Sequence, residues 1–413
     1  MSAPSCTPTL DGLTSYEDAV ARLADAAVAL ADAESVALTA AVGRVLAAPV
    51  VSTLDVPGWD YSAMDGYAVR ADDCTAAGSL LPVSQRVPAG TVPQPLQAAT
   101  AARIFTGAPM PAGADAVVIQ EVCEAVDDAV RIGAAVEAGS NVRRRGEDIL
   151  AGAAVIDAGV RLLPQHVGLA ASVGVAELAV VRRPRVALFA SGDELVMPGR
   201  PLTPGKIYNS NLFTATALLQ ALGCEVVDLG IVEDTLEATK AAISRGAAEA
   251  DLVLASGGVS VGEEDHVKPA VQALGELEMW KLAIRPGKPL AFGHVGGTPF
   301  IGSPGNPVSL FVTFLLFVRP FILRLQGRND WAPQPLSVEA GFAWPRPDKR
   351  REFHRARLTR DNDGRNRLQV HPSRSSGVLS SVVWANGLAV IPEGRVIQPG
   401  DRVDFLPFYE LLA

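Results

Sequence analysis

The chain is short of the residues from which most zinc centres and nucleophilic catalysts are built. Its four cysteines, Cys6, Cys74, Cys123 and Cys224, form no CxxC pair, and its five histidines fall into no HExxH or other ligand spacing. A structural zinc site is therefore not indicated. Scattered cysteines in a chain of 413 residues read as reduced thiols of a cytoplasmic protein. Positive charge is scarce as well. The 36 Lys and Arg stand against 45 Asp and Glu, a formal net charge of −9, and this argues against nucleic acid or an anionic membrane as partner, since both demand clustered positive charge. The N-terminal MSAPSCTPTLDG has no basic stretch followed by an apolar core and is not a signal peptide. The most apolar run, LFVTFLLFV at 310–318, is too short to span a bilayer and ends at Arg319-Pro320, so it reads as a buried helix. There is no GxxxxGK[ST] loop, no Rossmann fingerprint and no Ser-His-Asp or Cys-His set.

What is present is a long chain with 48% hydrophobic and 20% charged residues, enough for more than one core. Residues 15–48 carry Ala and Leu at helical spacing, with Ser15 as N-cap. Between about 51 and 145 the texture turns to short β-branched runs broken by Pro and Gly, and 146–182 returns to Ala, Gly and Val around a helical LPQHVGLAASVG. Neither helical flank is long enough for a core of its own. Paired, 1–50 and 146–182 make one domain and 51–145 an insertion in it. From 183 to 328 strands and helices alternate: RVALFA, NLFTATALLQALG, EVVDLGIV, TLEATKAAISRGAAEA, DLVLAS, a helix from about Asp265, PLAFGHV, PFIGS and a helix after PGNPVS. Alternation of this kind predicts a doubly wound, mostly parallel sheet with right-handed crossovers. Residues 329–413 return to short strands and predict a small β-domain. The fold class expected is α/β and multidomain.

Ligands of such sheets bind beyond the C-terminal strand ends, which places SGDEL (191–195), VEDT (232–235), SGGVSVGEED (256–265) and SPGNPVS (303–309) along one edge. The loop at 256–265 combines a glycine-rich backbone, suited to close approach by an anion, with terminal acids that repel one. Alone it is equally well a strand-to-helix turn with acids in the first helical turn. Three strand ends that each carry an acid are harder to explain that way, because convergent carboxylates bind metal or perform acid–base work. Arg285 and Lys288 flank a Pro-Gly turn at the same edge, where two cations and free backbone donors can hold a compact oxyanion. DKRREFHRAR (348–357) adds further cations.

MDGYAV, FTGAPMPAGADAVV, NVRRRGEDI, SGDEL, LGIVEDT, SGGVSVGEED, WKLAIRPGKPLAFG and GSPGNPVS stand in the order and spacing of the molybdopterin molybdenumtransferase family, to which the C-terminal domain of gephyrin also belongs. The chain resembles that family from about Tyr16 to Phe408. The resemblance implies the last step of molybdenum-cofactor synthesis, in which molybdate enters the dithiolene of adenylylated molybdopterin with the help of Mg2+ or another divalent cation and AMP leaves. It implies that Glu194, Asp234 and Asp265 position the cation and the adenylylated phosphate, that Arg285, Lys288, Ser309, Arg350 and Ser376 form the molybdate pocket, and that Lys281 contacts substrate. Ser256, Gly257, Gly258, Ser260 and Gly262, with Pro304, Gly305, Asn306 and Pro307, are the expected binding loops. Asp60, Thr106 and Asp148 reach the cleft of a partner subunit in the family, which implies a homodimer. Transient contact with the molybdopterin adenylyltransferase and with cofactor acceptors is implied as well. Acids and a phosphate-friendly backbone share one loop when a divalent cation lies between them, which answers the contradiction at 256–265. The chain departs from the family at Arg285, where Lys is usual, at Tyr61 and Asn209, and in HPSRSSG (371–377), where Ser375 and Ser376 both compete for one role. Two other readings remain. Adenylylation of molybdopterin fits 185–325 but not the flanking domains, and a gephyrin-like peptide-binding scaffold lacks its long linker and second enzyme domain here.

Overall fold

The computed structural model describes residues 12–258, 266–360 and 363–412. A six-stranded sheet occupies its centre, in the spatial order Glu225–Val232, Arg185–Ser191, Leu252–Ser256, Thr298–Ser303, Pro289–Val295, Gly275–Lys281. The first four strands are parallel, and Pro289–Val295 runs against them, pairing antiparallel with Thr298–Ser303 on one side and Gly275–Lys281 on the other. The reversal has a local cause. Val295 pairs with Thr298 across Gly296-Gly297, both at positive φ, and a two-residue turn leaves no length for a crossover helix.

Alternate residues of the parallel strands serve opposite layers. Val186, Leu188, Leu252, Leu254 and Ile301 pack with the helices Ser210–Ala221 and Pro307–Leu325. Ala187, Phe189, Val253, Ala255 and Phe300 pack with Leu236–Glu249 and Val267–Leu274. A sheet buried on both faces needs uninterrupted apolar strands, as RVALFA and DLVLA supply. The apolar run at 310–318 lies inside a 19-residue helix, Pro307–Leu325, long enough by composition to cross a membrane, but 94% of its apolar window is buried within the protein. Pro320 cannot donate to the carbonyl of Leu316, and the helix opens into a π-turn over Phe314–Val318 just before it.

The helical reading of 15–48 overruns the structure. The helix is Tyr16–Ala26, capped by Ser15, whose hydroxyl accepts from the Asp18 amide at 3.0 Å. Ala33–Ala37 is instead a strand on Glu177–Val181, because a partner strand overrides the modest helical preference of Ala and Glu. That pairing and Val50–Val51 on Ala154–Ile156 join the two flanks of the β-rich stretch, which forms a six-stranded sheet between Gly66 and Ile132. The C-terminal sheet is built from Leu336–Glu339, Arg351–Arg360, Asn366–Val370, Gly387–Ile391 and Arg402–Pro407. Its edge is completed by Ile284–Arg285, with Arg285 paired to Glu352 in parallel. This excursion carries the IRPGK turn out of the central domain and onto the C-terminal one.

Candidate functional site

Parallel register aligns Ser191 with Val232, Ala190 with Ser256 and Ser256 with Ser303, so the loops that follow open at one edge. A cavity of about 790 Å3 lies there. One wall is formed by Ser191 and Glu194, by Ser256, Gly257 and Gly258, and by Pro304, Gly305 and Asn306 leading into Pro307 and Ser309 of the core helix. The opposite wall comes from the borrowed strand and the C-terminal sheet: Arg285, Lys288, Arg350, Arg374, Ser375 and Ser376. Gly257 is required where it stands. At φ +89°, a Cβ there would lie 2.8 Å from the carbonyl oxygen of Ser191, so only glycine lets the two loops close on each other.

Two of the cations, Arg285 and Arg350, are fixed by a carboxylate that sequence reasoning does not single out, Asp348. Asp348 Oδ2 accepts from Arg285 Nη1 at 3.2 Å and from Arg350 Nη2 at 3.2 Å, while Oδ1 accepts from the Arg350 amide at 3.0 Å and from its Nε at 3.2 Å. Burial pushes the Asp348 carboxyl upward, but the hydrogen bonds and charge of Arg350, with Arg285, outweigh it and hold it at about 2. Arg374 is held differently. Its Nη2 donates to the buried Glu352, its guanidinium stacks 4.8 Å from the Trp344 ring centre, and its Nε has no partner. Arg355 is buried and donates through Nη2 to the carbonyls of Ser373 and Ser375 at 2.6 and 3.2 Å, which sets the 373–376 loop. The Ser376 carbonyl accepts from the Val308 amide at 3.0 Å, pinning that loop to the helix start. Both Ser375 and Ser376 line the cavity.

Four cations and a floor of small polar groups make this cavity a receptor for an anion with several acceptor oxygens. Beneath it, the hydroxyls of Ser256 and Ser303, neighbours in register, are buried without a partner. Buried polar groups are normally satisfied, so these two donors fit a bound ligand or water. Glu194 supplies negative charge on the sheet side, and Asp234, on the next loop, accepts from Ser191 Oγ at 3.1 Å. Asp265, Ser260 and Gly262 lie outside the described residues. Among the described residues no three His, Cys, Asp or Glu side chains converge as a metal site.

Other expected site residues stand elsewhere in the chain. Lys281 ends the edge strand Gly275–Lys281, and its carbonyl accepts from the Thr14 amide at 2.8 Å; it does not line the cavity. Asp60 accepts from the Arg145 amide at 2.8 Å and from Arg144 Nη1 at 2.7 Å, bonds that lower its pKa, the Arg145 amide foremost. Thr106 gives both its amide and its hydroxyl to Asp65 Oδ1 at 2.8 Å. Asp148 borders a separate hollow with Gly146 and Leu150. None of the three reaches the cavity of its own chain. Asn209 caps the helix Ser210–Ala221, its Oδ1 accepting from the Leu212 amide at 3.0 Å, while its buried Nδ2 has no partner. Ser191, Asn211, Asp348 and Arg374 are the cavity residues and supports not singled out from sequence. Asp348 and Arg374 had a faint signal, an acid ahead of two cations in DKR and a lone Arg among serines in PSRSSG.

Three family models cover most of the chain. Residues 14–174 match the MoeA N-terminal region (domain I and II), 187–324 match the model described as "Probable molybdopterin binding domain", and 337–408 match the MoeA C-terminal region (domain IV). The chain is 38% identical to the molybdopterin molybdenumtransferase of Haemophilus influenzae over 91% of this chain and 94% of that one. It is 40% identical to molybdopterin molybdenumtransferase 2 of Mycobacterium tuberculosis over 88% of this chain and 91% of that one. The crystal structure of the molybdopterin biosynthesis MoeA protein from Pyrococcus horikoshii OT3 superimposes with a TM-score of 0.84 at 29% identity, covering 96% of this chain and 100% of that one.

Proposed function

The chain belongs to the molybdopterin molybdenumtransferase family, and from that premise we propose that its strand-edge cavity inserts molybdate into adenylylated molybdopterin and releases AMP. The observation that carries this reading is the polarity of the cavity. Arg285, Lys288, Arg350 and Arg374 gather on the C-terminal wall, and Glu194 stands on the sheet wall beside the open Gly257-Gly258 backbone. An oxyanion belongs at the first wall and a phosphate bridged by a cation at the second. Lys288 and the guanidiniums hold molybdate while the Ser309, Ser375 and Ser376 hydroxyls orient it. The glycine loop and the turn at Pro304, Gly305 and Asn306 admit the larger nucleotide-bearing substrate.

A divalent cation, magnesium by the hardness of the ligands, fits the donors on the sheet wall. Glu194 and Asp234 offer carboxylate oxygens of the kind such ions take, with Asp265 as the third carboxylate proposed. Bound there, it would neutralise the adenylylated phosphate and favour its cleavage. The enzyme works as a homodimer in the cytoplasm, because Asp60, Thr106 and Asp148 serve the cavity of a partner subunit and leave their own untouched. It receives its substrate from a molybdopterin adenylyltransferase and passes the cofactor to acceptor proteins. The test is incubation of the purified protein with adenylylated molybdopterin, molybdate and magnesium. Molybdate-dependent AMP release with appearance of active cofactor is expected, and AMP release without cofactor, or neither, contradicts the assignment.

A further inference from the structure

A separate cavity, about 480 Å3, lies where residues 159–166 meet the end of the long core helix and the chain that follows it. Three arginines line it: Arg161, Arg319 and Arg328. Arg328 is matched, donating to Asp330 through two bonds of 2.8 Å. Arg319 is not matched in charge. It is 2% exposed, its Nη1 and Nη2 donate to the carbonyls of Trp331 and Glu410 at 3.0 and 3.2 Å, and its Nε has no partner. Arg161 is half-buried, and among the described residues neither a hydrogen bond nor an ion pair engages its guanidinium. His166 adds a donor of known polarity. Its Nδ1 accepts from the Leu163 amide at 3.0 Å, so in the neutral ring the proton sits on Nε2.

The carboxylates facing this cavity are Asp330, taken by Arg328, and Glu410. Three guanidiniums therefore face two carboxylates. Burial, helped by the charge of Arg328, pulls Arg319 down to about 10 and lowers Arg161 too. A buried cation without its counter-charge is costly, and a bound anion removes that cost while filling the vacant donors.

We propose that this cavity binds a compact tetrahedral oxyanion of the inorganic phosphate or sulfate class, held by Arg161, Arg319 and the Nε2–H of His166. The bound anion fastens the N-terminal segment to the core helix and to the 328–334 linker. The site is separate from the strand-edge cavity and does not rest on the function proposed for it.

The experiment is calorimetric titration of the full-length protein with inorganic phosphate, and then with sulfate, in chloride buffer. A Lys288→Ala/Arg350→Ala background removes competing binding at the strand edge. One oxyanion per chain is expected to bind in that background. Arg161→Gln and His166→Phe are each expected to weaken it about ten-fold or more, as loss of a charge-assisted or buried donor does. Both positions are half-buried, and an unchanged melting temperature in anion-free buffer verifies that the variants fold. Neither anion binding in the background protein, or binding that survives Arg161→Gln at full strength, overturns the proposal.

Discussion

Arg285 and Asp348 meet at 3.2 Å across the junction between the central sheet and the C-terminal one. The contact exists because Ile284–Arg285 leaves its own domain to pair with Arg351 and Glu352. It holds one cation of the oxyanion wall at a fixed place relative to another, Arg350, which shares the same carboxylate. The borrowed strand and the C-terminal sheet, which together form the cationic wall of the cavity, are thereby tied by an ion network as well as by strand pairing.

Asp348→Asn should expose how much that network matters. The native carboxyl stands at about 2 against an ordinary value of 3.8. A carboxylate with a depressed native pKa adds stability above its unfolded value, and that stability is lost as pH falls through the native value. The expected difference at pH 7 is about 2 kcal/mol. Urea unfolding of wild type and variant at pH 7 should show it, and the two curves should converge as the pH is taken from 4 to 2. A constant gap down to pH 2 would mean that the charge of Asp348 is not the stabilising element.

The cation wall and the acidic wall should fail in different ways. If Lys288 holds molybdate in the ground state, its loss removes charge-assisted hydrogen bonds of about 1.5 to 3 kcal/mol, a ten- to hundred-fold loss of affinity that excess molybdate corrects. If Asp234 serves the cation and the phosphate, Asp234→Ala should resist rescue. Arg285→Lys should be mild, since charge is kept although the planar fork is lost. Cofactor formation measured against molybdate concentration, at fixed adenylylated molybdopterin and magnesium, separates these cases. Equal rescue of Lys288→Ala and Asp234→Ala would show that the walls have been divided wrongly.

The central domain was legible in the sequence because its inner strands, Arg185–Ser191 and Leu252–Ser256, are apolar on both faces and strands alternate with helical stretches along the chain. RVALFA, EVVDLGIV and DLVLAS are all strands of the parallel sheet. The antiparallel edge was hidden, since PFIGS and PLAFGHV look alike whichever way they run and only the Gly-Gly spacing tells. Ala33–Ala37 was hidden by its own composition: AESVA carries no strand signal until Glu177–Val181 lies beside it. At the site, the glycine and proline turns stood out because backbone conformation restricts the residue type. Asp348, Arg374 and Ser303 did not, because an acid, a cation or a serine acquires its role only from partners far along the chain.

His354 gives the chain a second pH dependence in a different window. It is buried, with Nε2 2.7 Å from the His371 carbonyl oxygen, and burial pushes it down to about 4. The unfolded chain takes up this proton near 6.5 and the folded chain does not until about 4, so stability falls as pH drops between those values, by about 3 kcal/mol at most. His354→Gln keeps a donor for His371 and cannot titrate. Its melting temperature should lie below wild type at pH 8 through poorer packing on Trp344, yet decline less steeply from pH 6.5 to 4. Parallel declines for the two proteins would remove His354 as the cause.

Asp60 and Asp234 offer the sharpest test of a site shared between subunits. Asp60 is engaged by Arg144 and the Arg145 amide on the β-rich domain, and Asp234 sits behind Ser191 at the strand edge. Within one chain Asp60 does not border the cavity that Ser191 lines, and a single-chain enzyme would have no use for both in one reaction. If each cleft takes Asp60 from one subunit and Asp234 from the other, an Asp60→Ala homodimer and an Asp234→Ala homodimer are both impaired at both clefts. A heterodimer of the two carries one cleft with both defects and one with neither. Co-expression with two different affinity tags and tandem purification isolates that heterodimer. Its expected cofactor synthesis is about half that of wild type, from one intact cleft of two if the clefts act independently. Activity no greater than the mean of the two parent variants, in a verified heterodimer, would place both residues in the service of the same chain.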